Sequence, residues 1–137
     1  MSEYLEKADY AANIRTNRLD MIIEDDPVLL DVVESSAIAL VRDALHSRFD
    51  VDDIFGRRGA DRHAQVLRWV KTLVVYFIYE RIPDRQMPER VETDYRQTLD
   101  WLGEIEDGKK SVDLPRRSEG DQPAAKFRWG SLPRRTY

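Results

Sequence analysis

The sequence predicts an all-α protein, a small bundle of about four to five helices followed by an extended C-terminal arm. Three observations predict it. Apolar residues recur at three- and four-residue steps over long windows, as on one face of a helix. Capping residues, prolines and glycines punctuate those windows, and no stretch alternates as a strand does. The pattern then vanishes at Gly108, beyond which Pro115, Pro123 and Pro133 stand among few aliphatic residues.

The first short helix is expected over residues 4–14 and a second over 17–24, with Asn17 as N-cap and Leu19, Ile22 and Ile23 apolar. Asp26 then caps a restart at Pro27, which suits a first helical position because no N–H is needed there. That helix should run over 27–48. Leu30, Val33, Ala37, Val41 and Ala44 form its face, widened by Ile38 and Leu45, and Ser35 and Ser36 offer small side chains for a close helix contact. Residues 50–59 read as a loop in which Gly56 and Gly59 bracket Arg57 and Arg58. The next helix begins near a cap at Asp61 and reaches about Arg81, where Pro83 stops it. Its second half, from Val70 through Tyr79, is apolar on nearly every side, so it is expected at the centre of the fold or facing neighbouring subunits. The last helix lies between Pro88 and Gly108, with a stripe of Val91, Tyr95, Leu99, Leu102 and Ile105 and with Trp101 to one side. Residues 1–107 are therefore read as a helical body and 108–137 as the arm.

The 137 residues fit one domain. Cysteine is absent, which excludes disulfides and thiolate chemistry. The N-terminus lacks a basic segment followed by an apolar run and does not read as a signal peptide. The most apolar stretch, 73–78, is far short of the roughly 20 residues a membrane span needs. Net charge is −4, unevenly spread: residues 108–137 carry +5 and the remainder −9. An acidic body with a basic tail is the first functional clue.

Catalytic and metal-binding patterns do not emerge. His46 and His63 do not stand at ligand spacing and read as structural or surface residues. Asp50-Val51-Asp52-Asp53 begins like a calcium loop, but Ile54 and Phe55 occupy the positions that require an oxygen ligand and a glycine. Gly56-Arg57-Arg58-Gly59 lacks the ending of a phosphate loop. No acid–base pair or nucleophile motif stands out. The expectation is a protein that is not an enzyme and that uses no metal or cofactor. The arm, in contrast, ends in aromatic residues interleaved with arginines: Phe127, Arg128, Trp129, Arg134, Arg135 and Tyr137. Trp, Tyr and Arg supply most interface hot spots, so these six are the candidate partner-docking residues.

Several pieces together carry a resemblance. They are the short helices before Asp25-Asp26-Pro27, the Ser47-Arg48-Phe49-Asp50 ending, and Arg62-His63. Leu73 through Tyr79 followed by Glu80-Arg81-Ile82-Pro83, then Met87-Pro88-Glu89-Arg90, Tyr95 and Trp101-Leu102 come next, and Phe127-Arg128-Trp129-Gly130-Ser131 with Pro133 closes the series. In order and spacing this resembles the Mu-type phage head–tail connector, or adaptor, proteins, especially versions from phages and prophages of Bacteroidetes. The family usually has Asn before the proline of that ending, where this chain has Leu132.

The resemblance implies a viral structural protein of the phage neck, made in the bacterial host cytoplasm. Related adaptors are helical bundles that assemble with themselves as rings, commonly of twelve subunits, beneath the portal. Their C-terminal arms dock onto the portal protein, and the far side receives a stopper or tail-completion protein. Genomic DNA passes through the channel without sequence-specific binding, and no membrane is involved. Ring contacts are heterologous, one patch meeting a different patch. Trp69, Tyr76 and Tyr79, with Arg57 and Arg58, are the candidate subunit-contact residues, against the alternative that the apolar stripe is wholly intramolecular core. Acidic residues lining the channel would repel DNA phosphates. The alternative function is a nucleic-acid-binding helical module, because arginine interleaved with aromatics can bind single strands by stacking and charge.

Overall fold

The computed structural model describes residues 3–11, 13–81 and 87–118. Among them lie α1 (Thr16–Asp25), α2 (Leu29–Leu45), α3 (Val51–Gly56), α4 (Ala64–Glu80) and α5 (Glu89–Glu106), with 3-10 turns at Lys7–Tyr10 and Gly59–Asp61. The described residues contain no strand, and an isolated bridge joins Phe49 to Arg116. The protein is thus all-α. The three long helices, α2, α4 and α5, each contact the other two and enclose the core.

The predicted stripe of α2 is buried, Leu30, Val33, Ala37, Val41 and Ala44 together with Leu45, while Ile38 packs at its edge. Full burial of each Leu or Val contributes roughly 1.5–3 kcal/mol. Ser35 and Ser36 are exposed, so they do not make the expected close helix contact. The helix starts two residues later than Pro27. Asp26 closes the entering turn through its backbone carbonyl, which accepts from Leu29 N–H at 3.1 Å. It also ends earlier, at Leu45, because the chain turns there and drives Phe49 into the core.

The described residues of 4–14 hold a 3-10 turn and no α-helix. Tyr4, Leu5, Tyr10 and Ile14 are all buried, and an α-helix would spread them around several sides of its axis. Tertiary packing therefore overrides local propensity. α1 begins at Thr16 with Arg15 at its cap, so Asn17 lies inside the helix. Residues 51–56, expected as loop, form α3. Asp50 Oδ1 caps it by accepting from Asp53 N–H at 3.1 Å, and Ile54 and Phe55 anchor it in the core. Its aspartates serve as a cap and as ion-pair partners, with Asp52 on Arg42 and Asp53 on Arg57.

α4 buries Val66, Trp69, Val70, Leu73, Val74, Val75, Ile78 and Tyr79. Its near-continuous apolar run is explained by three neighbours, α2, α5 and the N-terminal segment, whose Arg18 reaches Tyr79. Asp61 ends a 3-10 turn, and His63 stands at the α4 cap without a side-chain cap bond. Pro83 lies outside the described residues. α5 has Pro88 at its N-cap, as the proline-to-glycine spacing predicted. Gly108 ends it with φ +79°, donating to Ile105 O at 3.1 Å while Lys109 N–H donates to Glu104 O at 2.8 Å. That double bond pattern is a Schellman motif, which favours glycine because of the positive φ. A side chain there would also meet the Arg48 guanidinium, 2.5 Å from an ideal Cβ.

Candidate interaction surfaces

The arm residues Phe127, Arg128, Trp129, Arg134, Arg135 and Tyr137 lie outside the described residues. The root of the arm, however, is firmly placed. Asp50 N–H donates to Pro115 O at 2.8 Å and Arg117 N–H to Arg48 O at 3.1 Å, either side of the Phe49–Arg116 bridge. Leu114 is buried, and the Arg116 guanidinium lies 5.6 Å from the Phe49 ring centre. Arg117 Nη1 also donates to His46 O at 3.0 Å, at the edge of a cleft of about 350 Å³ between the arm root and the α2–α3 corner. Two short backbone bonds and one apolar side chain therefore hold residues 114–117 against the body.

The remaining candidates do not converge on one spot. Within the single chain Trp69 is 2% exposed and meets Trp101 edge-on at 6.3 Å. Trp101 itself is 39% exposed, with Lys110 Nζ 3.8 Å from its ring centre. These two indoles border a groove of about 140 Å³ between α4 and α5 that also takes in Arg68, Asp94 and Gln97. Tyr76 stacks flat on Tyr95 at 3.7 Å, and Phe77 abuts both rings. Burial, with the nearby Tyr76 and Glu80, raises the Tyr95 phenol above its ordinary value. Tyr79 is buried and accepts from Arg18 Nη1 at 3.4 Å. Arg57 pairs with Asp53 at 3.2 Å, while Arg58 donates to Phe55 O at 2.8 Å and reaches Glu3 at 3.3 Å.

Two interior polar contacts hold the N-terminal segment on the bundle. Arg62 Nη1 and Nη2 donate to Asp9 Oδ2 and Oδ1 at 2.6 and 3.0 Å, a bidentate pair, and Arg62 also donates to Tyr4 O and Gly59 O. Burial alone would raise the Asp9 carboxyl, but the Arg62 guanidinium and the Glu6 backbone N–H outweigh it and hold the group below its ordinary value. The Asp9 hydrogen bonds in turn raise Arg62 against the opposing effect of burial. The second contact is Tyr10 OH donating to Glu34 Oε2, deep in the core. Burial, reinforced by Glu34, raises the Tyr10 phenol far above its usual range. Burial also pushes the Tyr4 phenol up to about 12, with Arg62 opposing.

Sequence reasoning missed both contacts. Glu34 could have been found, since an acid three residues before Ala37 and four after Leu30 lies on the buried stripe and needs a partner there. Asp9–Arg62 left no such sign, because it joins residues 53 apart.

Among the described residues no group of three or more His, Cys, Asp or Glu side chains could hold a metal ion. No helix among them is long and apolar enough to cross a membrane. Grooves and charged clefts on an all-α bundle with an anchored arm root define a small helical protein. The family model described as Bacteriophage Mu, Gp36 matches residues 4–129, and the chain belongs to that family of Mu-type phage proteins. No curated protein and no solved structure matches the chain.

Proposed function

We propose that this protein is a head–tail adaptor of a tailed phage, a virion component that forms a ring beneath the portal around the DNA exit channel. The observation that carries the reading is the family match, which takes in every described helix and extends into the arm as far as Trp129. The anchored arm root supports it. A partner-binding arm works best when its base has a set position, because less freedom is lost on docking. In this reading the helical body builds the ring, and the arm holds it to the portal through Phe127, Trp129 and Tyr137, with Arg128, Arg134 and Arg135 pairing with portal carboxylates. The far side of the ring receives a stopper or tail-completion protein.

The test is deletion of residues 126–137. The truncated chain should keep the helical circular dichroism and unfolding midpoint of the full protein. Its affinity for purified portal should drop at least about a hundredfold, as expected when two or more aromatic or arginine hot spots are removed. Undiminished portal binding refutes the reading.

A further inference from the structure

The described body satisfies many of its charges internally. Arg42–Asp52, Arg57–Asp53, Arg58–Glu3, Arg62–Asp9, Arg96–Glu92 and Lys110–Glu104 are all ion pairs. α1 departs from this pattern at both ends. Arg15 caps it and Arg18 stands in its first turn, while Glu24 and Asp25 end it and Asp26 is its C-cap. Cations at the start and anions at the end both oppose the helix dipole, so this arrangement works against folding. The side chains of Glu24, Asp25 and Asp26 are exposed and make no hydrogen bond or ion pair among the described residues. The same holds for Arg15 and for Arg90 of α5. Arg18 is bonded within the chain, to Tyr79 OH, but the others break a local rule with no compensating partner among the described residues, which suits them to a partner of opposite charge.

Shape agrees with charge. Arg15, Arg18 and Arg90 line a cleft of about 480 Å³ with Asn13, Ile14 and Tyr79, and among the described residues no carboxylate borders it. Asp94 opens on the adjoining groove, which Arg90 also borders. At the other end of α1 the acidic residues are flanked by exposed apolar side chains, Met21 at 57%, Val28 at 64% and Val32 at 43%. A positive cleft and a negative, partly apolar knob thus occupy opposite ends of one helix. Ten residues of helix separate them by about 15 Å, so a chain cannot dock its own knob in its own cleft.

We propose that the acidic end of α1, Glu24, Asp25 and Asp26, docks in the Arg15–Arg18–Arg90 cleft of a second copy of this chain. The apolar side chains beside it add buried area. The contact is heterologous, so it repeats from copy to copy and closes into a ring or runs on as a filament according to the rotation per step. The proposal rests on the reading of the chain as a self-assembling subunit and deepens it by assigning the contact. A nucleic-acid phosphate is the weaker occupant, because the body around the cleft carries a net −9.

The experiment uses the full chain and two charge-reversed variants. One carries Arg15→Glu, Arg18→Glu and Arg90→Glu; the other carries Glu24→Lys, Asp25→Lys and Asp26→Lys. Circular dichroism establishes that each folds, and Arg90→Glu and Asp25→Lys alone replace them if a triple variant does not. Sedimentation velocity reads self-association. The wild type should associate, about tenfold more weakly at high than at low salt. Each variant alone should lose at least about tenfold in association. A 1:1 mixture of the two should restore it, because each copy then meets an opposite charge at both ends. A mixture that stays monomeric, a variant that associates like the wild type, or a wild type monomeric at millimolar concentration overturns the contact. Single-stranded DNA binding lost in the cleft variant, with self-association unchanged, also overturns it. Self-association that follows this charge pattern in a protein that fails to capture portal supports the contact and refutes the adaptor reading instead.

Discussion

Replacing Arg62 with methionine keeps the aliphatic stem and removes the guanidinium that fastens the N-terminal segment. The Arg62 side chain is 8% exposed and that of Asp9 11%, so neither charge can turn freely to water. The change deletes four hydrogen bonds, two to Asp9 and one each to the Tyr4 and Gly59 carbonyls. Removing one partner of a buried pair typically costs about 3–5 kcal/mol, and the residual exposure places this case near 3. For a body of this size that is a fall in unfolding temperature of roughly 10–15 °C. Asp9→Asn should cost a comparable amount in the wild type, yet little in the Arg62→Met background, because the pair is already gone. Urea titrations of the four proteins measure the coupling, expected at about 2 kcal/mol. Additive effects, with coupling below about 0.5 kcal/mol, would show that the pair does not act as a fastening.

The same contact sets an acid limb. The Asp9 carboxyl is held below its ordinary value of 3.8, so the folded protein takes up that proton less readily than the unfolded chain. The stability it contributes is therefore present above about pH 4 and lost as pH falls through the depressed value. Asp9→Asn should flatten stability against pH below 4, and an unchanged slope would contradict the assignment.

Gly108→Ala forces a side chain into a positive φ and toward the Arg48 guanidinium, and should cost about 1–2 kcal/mol by thermal melts, whereas Gly56→Ala, with open space around its Cβ, should be within about 0.5 kcal/mol of wild type. Tyr10→Phe removes a donor from the buried Glu34 carboxylate at nearly constant volume and should cost about 1–3 kcal/mol in urea titration. An equal loss from Tyr95→Phe, whose phenol is only partly buried, would show that the Glu34 contact carries no special weight.

The long helices were legible because burial of one face leaves a periodic trace: Leu30 through Ala44 on α2 and Val91 through Ile105 on α5 lie where their spacing placed them. Gly108 was legible as a stop because its conformation favours that residue type. Short elements were not. α3 has six residues, too few for a period to show, and its identity rests on the Asp50 cap and on Ile54 and Phe55 finding a core elsewhere in the chain. Residues 4–14 failed for a related reason, since they are held by contacts distant in sequence: Tyr4 on Phe55, Tyr10 on Glu34 and Asp9 on Arg62. Of the candidate surfaces, the aromatic residues were visible as types, but their partition was not. Trp69 and Trp101 differ in exposure only because Trp69 lies on the inner face of α4 and Trp101 on the outer edge of α5.

The arm root links fold to proposed function. The tail compositionally begins at Gly108, but its first ten residues run back along the body and are bonded at residues 48–50. The last bonded residues of the described chain therefore lie beside the α2–α3 corner, close to Ser118, and not at the end of α5. An extended chain advances at most about 3.6 Å per residue. Phe127 to Trp129 can accordingly lie no farther than about 40 Å from that corner, and Tyr137 no farther than about 70 Å. A portal contact through Trp129 must fall within the first radius, so crosslinks from an arm carrying a photoreactive group at 129 should fall within it in an assembled neck. Weakening the root with Leu114→Asp should widen that crosslink distribution and lower portal affinity, because Leu114 is buried at the base of the arm. Portal affinity unchanged by Leu114→Asp would mean that the anchored root contributes nothing to docking.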